Sequence, residues 1–316
     1  MIRFIIRRLL LIIPMVLIVI TLTWALVRLA PGNFYSTAKG LPPAVEKNIR
    51  ARYGLDKPWY IQYGKTMGQI LRGNFGFSRQ YQEQTVNEII WRTLPVSATL
   101  GLTAYLIALC VGLLFGTLAA LRQNSALDYT SMAAAMLGIS VPNFVLGPLL
   151  VLLFSLTLYW LPPARWEWAV RFGPVGIPSL RYILLPALTL SAVYMAYIAR
   201  LTRSGMLEVL RKDYIRTARA KGLSERAVIF RHALRGGLLP VVSFTGPALA
   251  FIVGGTVVVE RVFSLPGLGT YLINAALNRD EPLLLGLAAF ISTLILIFNL
   301  LVDIAYGYID PRIRYS

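Results

Sequence analysis

With 57% hydrophobic and only 14% charged residues across 316 positions, the chain is too apolar for a soluble globular protein, which is nearer a quarter charged. Its 31 Lys and Arg against 14 Asp and Glu leave +17, and in so apolar a chain that excess marks cytoplasmic membrane flanks rather than a nucleic-acid partner. One cysteine, Cys110, and one histidine, His232, exclude a disulfide framework and an all-protein Cys/His metal cluster.

The start, "MIRFIIRRLLLIIPMVLIVITLTWALVRLAPGN", is basic and then apolar for longer than a signal peptide, and no small-residue cleavage site precedes Pro31, so a retained first span is expected. Uncharged runs follow at 9–27, 93–121, 129–164, 182–199, 236–259 and 282–302. Each holds about the ~20 residues a helix needs to cross ~30 Å of hydrocarbon. The expected fold is therefore an all-α polytopic membrane protein with six transmembrane helices. Arg3, Arg7 and Arg8 place the N-terminus in the cytoplasm, and six crossings return Arg312 and Arg314 to the same side. Arg28 and Asp303 fall just past the ends of spans one and six, where snorkelling or interface pairing is expected.

The chain divides into 1–30 (N-terminal segment and span one), 31–93 (a small helical extracytoplasmic subdomain) and 94–316 (a core with spans two to six and a cytoplasmic basic loop at 200–239). Within the subdomain, "LPPAVEKNIRARYG" has a helix frame, and "PWYIQYGKTMGQILRG" sets Tyr60, Tyr63, Met67, Ile70 and Leu71 at helical spacing. Thr85 and Glu88 form a capping-box pattern leading into "IIWRTLP". These helices either pack on each other and the membrane or dock an extracytoplasmic partner.

The run 129–164 is too long for one straight helix, so its ends should be loop or interface, with Trp160, Pro162 and Pro163 marking the stop. Pro142 and Asn143 of "SVPNF" fall mid-run, where proline frees a carbonyl and Asn143 should face protein or water. With Ser243, Thr245 and Gly246 of "VSFTGPALAFIVGG" they are candidate lining of a pathway, close helix packing being the alternative. After span five, Pro266, Gly267 and Gly269 predict a turn and a short helix, an outer loop or gate, or a re-entrant cap.

The basic loop reads most clearly. Asp213 to Lys221 predicts a helix with its acid first and cations late. Gly222 can take the left-handed backbone that ends it, and Ser224 N-caps a second helix, "ERAVIFRHALRGGLL", running to Pro240. Ile215, Ala218 and Gly222 share a narrow stripe that would let a partner's backbone approach, while Arg216, Arg219 and Lys221 would meet acidic groups or lipid phosphates. No Gly-x-x-x-x-Gly-Lys-Ser/Thr loop is present, so ATP is not hydrolysed on this chain. No charge lies inside the six runs, which speaks against an ion-coupled carrier and a membrane-embedded enzyme.

The pattern "YIRTARAKGL…FRHALR…LLP" resembles the cytoplasmic coupling loop of permease subunits of ATP-binding-cassette importers, in the peptide and nickel branch. "RLAPGN", "RYGLDKPW", "VFSLPGLG", "ALNRDEP" and "VDIAYGYIDPRIRY" are similar, in order, to the first permease of dipeptide and oligopeptide importers, and "LPPAVEKNIRARYGL" and "QNSALDYT" lean to the oligopeptide kind. The resemblance implies a type I importer permease in a bacterial inner membrane, forming half of a pathway for oligopeptides or dipeptides, with a nickel-chelate importer as the alternative. It implies no catalytic residue, metal or cofactor on this chain, ATP and Mg being held by two ATPase subunits. It also implies a second permease and an extracytoplasmic peptide-binding protein as partners besides the lipid bilayer. Ile215, Ala218, Arg219, Ala220, Lys221, Gly222, Leu223 and Ser224 would form the ATPase-coupling loop.

Overall fold

The structure, a computed structural model, describes residues 2–29, 56–81, 83–163, 165–173 and 175–309. The helix frame expected at 41–54 lies outside them. Apolar runs become helices because a chain in hydrocarbon must satisfy its backbone polar groups internally. Four helices are long and apolar enough to cross a membrane alone: α1 (Ile2–Leu29), α3 (Val86–Leu121), α6 (Leu180–Leu210) and α11 (Glu281–Ile309). Two bent pairs bring the total to as many as six: α4 (Ala126–Ser140) with α5 (Asn143–Thr157) at 108°, and α8 (Glu225–Gly237) with α9 (Leu239–Val262) at 51°.

Two ion pairs between α1 and α11 set the scale. Arg8 reaches Asp303 at 2.9 Å and Arg28 reaches Glu281 at 3.2 Å. At 1.5 Å per residue these pairs stand about 30 Å apart along α1 and about 33 Å along α11, the thickness of a hydrocarbon core. Interface pairing, rather than snorkelling, is thus what Arg28 and Asp303 do. The Arg8 end is called proximal below and the Arg28 end distal.

α6 is the buried centre and α1 the lipid-facing flank, with Leu9, Leu10, Leu22 and Leu26 exposed. α3 lies along α6 at small residues: a Cβ on Gly112 would meet Ile198 at 2.8 Å, and one on Gly116 would meet Thr202 at 2.5 Å. Without a hydrophobic force between helices in lipid, such close backbone packing supplies the attraction. Leu100, Ala104, Leu190, Ile198, Val241, Ile252 and Phe263 join α3, α6 and α9 in one core. α6 continues as helix well past residue 199, where its apolar run ends, because no breaker intervenes before Arg211.

The surplus length at 129–164 is absorbed mid-run as well as at its end. Pro142 has no N–H to continue α4, so the chain turns there and α5 sets off across the distal end of α9, where a Cβ on Gly147 would meet Val262 at 2.9 Å. Helix stops at Thr157, before Trp160. A two-stranded antiparallel hairpin, β1 (Trp168–Phe172) and β2 (Val175–Pro178), then turns through Gly173 at φ +63°. It adds a strand pair that the all-α expectation lacked, and its alternation is too short to stand out in sequence.

At the distal end α2 (Trp59–Leu71) forms where its apolar spacing indicated. The Tyr63 hydroxyl lies 2.7 Å from that of Thr21, and Met67 is buried with Ile20, Trp24, Leu285 and Ala289. The capping box is present: the Glu88 N–H donates to the Thr85 hydroxyl at 3.2 Å, and the Thr85 N–H donates to the Glu88 carboxylate at 2.9 Å.

Candidate functional site

At the proximal end the basic loop folds as an elbow. α7 (Asp213–Ala220) ends where Gly222 takes φ +79°, letting the Leu223 N–H reach the Ala218 carbonyl at 3.3 Å and the Gly222 N–H reach that of Arg219 at 2.9 Å. Ser224 caps α8 by accepting the Ala227 N–H at 3.4 Å. Across the turn Arg219 grips Glu225 through two bonds, at 2.8 and 3.3 Å.

The elbow's seat corrects one expectation. Ile215 and Ala218 do not present a stripe to a partner; they are buried with Val228 and Ala233 against Ala120 at the end of α3 and Met206 and Val209 of α6. An amphipathic short helix buries its apolar side against whatever is nearest, here its own bundle. The outward face carries Arg216, Arg219, Ala220, Lys221, Leu223 and Ser224, with Tyr214 and Phe230 exposed beside them. The elbow also leans on α6 as much as it leads to α9, since a Cβ on Gly205 would overlap the Gly237 carbonyl. Nearby, Arg203 holds the buried Asp128 with two bonds of 2.7 Å, joining α6 to the start of α4.

The pathway candidates are not brought together. Thr245 turns inward, its hydroxyl 2.6 Å from that of Tyr105, and Gly246 is buried, while Ser243 stands on the exposed face of α9 with Leu239 and Val242. Pro142 and Asn143 sit at the α4–α5 break. Asn143 lies one turn from Gly147, beside Val262, which is about 28 Å along α9 from Ser243. The Asn143 carbonyl oxygen is buried without a protein partner, so it faces neither lipid nor a bonded neighbour.

Pro266, Gly267 and Gly269 lead into α10 (Leu268–Leu277) and close on a residue that sequence reasoning missed, Glu260. Its buried carboxylate accepts the Gly269 N–H at 2.8 Å, the Thr270 N–H at 3.2 Å and the Ser97 hydroxyl at 2.6 Å, while Ser97 accepts the Leu268 N–H at 2.8 Å. This latch ties α3, α9 and α10. It gives both glycines a reason: a Cβ on Gly267 would overlap the Glu260 carboxylate, and one on Gly269 would overlap Val257. A second buried carboxylate, Asp280, accepts the Ser78 hydroxyl at 2.5 Å and the N–H groups of Arg79 and Gln80 at 2.9 and 3.0 Å, fastening the loop after α2 to the head of α11. Among the described residues no group of three or more His, Cys, Asp or Glu could hold a metal.

These elements build a known transporter fold. The chain superposes on the crystal structure of an amino acid ABC transporter with histidines at a TM-score of 0.51 and 15% identity, over 70% of this chain and 94% of that one. Apart from the β1–β2 hairpin it is a helical membrane protein, with an ABC-importer permease fold. The chain belongs to the family of binding-protein-dependent transport system inner membrane components, whose pattern matches residues 112–315 and whose N-terminal companion matches residues 1–101. It is 45% identical over 315 residues, the full length of both, to the oligopeptide transport system permease protein OppB of Salmonella typhimurium, and 44% identical to OppB of Escherichia coli over the same length. To the dipeptide transport system permease protein DppB of Bacillus subtilis it is 42% identical over 314 residues, 99% of this chain and 98% of that one. The chain is thus a multi-span inner-membrane permease component, a transport subunit rather than an enzyme, in a system that depends on a binding protein and ATP-binding-cassette partners.

Proposed function

We propose that this chain forms half of the translocation pathway of an ATP-driven importer of oligopeptides or dipeptides, beside a second permease, two ATPase subunits and an extracytoplasmic peptide-binding protein. It crosses the membrane six times, each bent pair making one crossing, in the type I importer arrangement. The proximal end is cytoplasmic, which agrees with the ten Lys and Arg between 200 and 235 against three arginines at 165–181 and two at 261–281.

The elbow carries the reading. It is a rigid, basic projection at the proximal end whose outward face, Arg219 to Ser224, is free for a partner while its inward face is keyed into the ends of α3 and α6. Closure of two ATPase subunits on ATP pushes the elbow, and because helices are stiff the push passes into α6 through Met206, Val209 and the Gly205–Gly237 crossing, as well as along α8 into α9. The crossings then alternate between inward-open and outward-open. Peptide contributes only its differential affinity for those states.

The test uses a Cys110→Ser background with a cysteine placed at Ala220. In the assembled complex, the thiol should crosslink to an ATPase subunit, with a yield that changes when ATP is added, and uptake of a radiolabelled tripeptide should need ATP and the binding protein. Transport by the purified chain alone under an ion gradient would overturn the reading.

A further inference from the structure

A cleft of about 300 Å³ opens at the distal end between α2 and the head of α11, lined by Arg28, Lys57, Gln62, Lys65, Arg79 and Glu281 among others. Glu281 is the sole acid among its described lining residues and is already held by Arg28 at 3.2 Å and Arg79 at 2.8 Å. Lys57 and Lys65 carry exposed side chains with no ion-pair partner among the described residues. Among its described lining residues the cleft is therefore cationic, with its one acid already paired.

Its depth says what fills it. Arg28 and Glu281, which line the cleft, are also the pair that marks the distal limit of the roughly 30 Å apolar bracket. The cleft thus opens at the level of lipid phosphates. α2 leans into that leaflet, since Tyr63 meets Thr21, about 10 Å below Arg28 along α1. At the start of α2, Trp59 and Tyr60 are exposed, the residue types that settle at a membrane interface, with Ile61 beside them. Below, the exposed Leu22 and Leu26 of α1 offer a surface for acyl chain.

We propose that this cleft binds the phosphate headgroup of an anionic phospholipid, with Lys57 and Lys65 as its principal charged contacts and Arg28 as the fixed wall. The leaflet that supplies the lipid follows from the orientation given under Proposed function; the chemistry of the site does not depend on it. A bound headgroup wedges α2 against α1 and α11 and so braces the distal end of the lipid-facing flank. Each basic residue near an anionic surface multiplies binding about fivefold, so removing both lysines should weaken retention about 25-fold.

The experiment is native mass spectrometry of the purified, assembled complex, titrated with short-chain phosphatidylglycerol, with phosphatidylcholine of the same chain length, and with inorganic phosphate. The expected result is retention of phosphatidylglycerol over phosphatidylcholine, lost at least tenfold in K57A/K65A and kept in K57R/K65R. Because both lysines are exposed, melting of the variants should match the parent. Equal retention in K57A/K65A, equal binding of phosphatidylcholine, or binding of inorganic phosphate without lipid would overturn the proposal. So would a variant that keeps its lipid but loses affinity for the binding protein, which would make the cleft a protein-docking surface. Lipid retention is read without transport, so failure of the import reading leaves this measurement intact.

Discussion

Replacing Gly222 in turn by asparagine, alanine and valine separates the backbone's demand from the space around it. The residue stands at φ +79°, and a Cβ built there meets nothing within 4 Å, so steric overlap contributes nothing to the result. What remains is the left-handed backbone, which costs an ordinary L residue roughly 1–2 kcal/mol and asparagine less. Alanine should therefore depopulate the turned elbow about fivefold, and valine, whose branched Cβ resists that region further, about thirtyfold or more, from about 2 kcal/mol. Asparagine, though larger than alanine, should stay near the parent. The assay is binding-protein-stimulated ATPase activity and tripeptide uptake in proteoliposomes containing the assembled complex, with membrane level followed by immunoblot. Uptake should fall in the order glycine, asparagine, alanine, valine at constant protein level. Asparagine worse than alanine would mean that side-chain volume governs, and a fully coupled valine variant would mean that coupling does not need the left-handed turn; either refutes the reasoning.

Glu260→Ala should strip acceptors from Ser97, Gly269 and Thr270 at about 1–3 kcal/mol per orphaned donor, giving a large drop in the melting temperature read by tryptophan fluorescence, with Glu260→Gln retaining part of it. Ile215→Ala should cost about 2–4 kcal/mol in the same melt, whereas Thr217→Ala on the exposed side should stay within about 0.5 kcal/mol; equal effects would mean that Ile215 is not inside. Arg203→Ala removes two charge-assisted bonds from Asp128, which keeps the Asn124 N–H, and should destabilise by about 1–3 kcal/mol, with Asp128→Ala in the same chain recovering part of the loss. Deleting 74–84 should abolish accumulation in the membrane, read by immunoblotting of membranes, because it removes Phe75, Ser78 and Arg79 from their contacts with α11.

Features set by one residue's backbone physics were legible in the sequence: the Gly222 turn, the Ser224 cap, the Thr85–Glu88 capping box and the Pro142 break. The direction of a face was not. Ile215 and Ala218 mark an apolar side of α7, but spacing alone cannot say whether that side meets the chain's own helices or another protein's. Glu260 escaped because the apolar run stops at Val259 and, apart from Thr256 one turn back, its partners lie either at the start of α10 or at Ser97, more than 160 residues earlier. Only the clash-prone glycines at 267 and 269 hinted that something large was packed under that turn. The pairing of Arg28 was foreseen as a class of contact, but its partner at Glu281 belongs to the opposite end of the chain.

The twin fastenings of α1 to α11 carry a mechanical consequence. A crossing helix that is loose at one end meets a thicker or thinner bilayer by changing its tilt, at a fraction of a kcal/mol per ångström of mismatch. Held by Arg8 at one rim and Arg28 at the other, α1 can lean only if α11 leans with it, so the two act as a plank of fixed length. A change in thickness is then met by tilt of the pair together or by deformation of the surrounding lipid, which makes membrane thickness itself a variable to which the flank of this permease must respond.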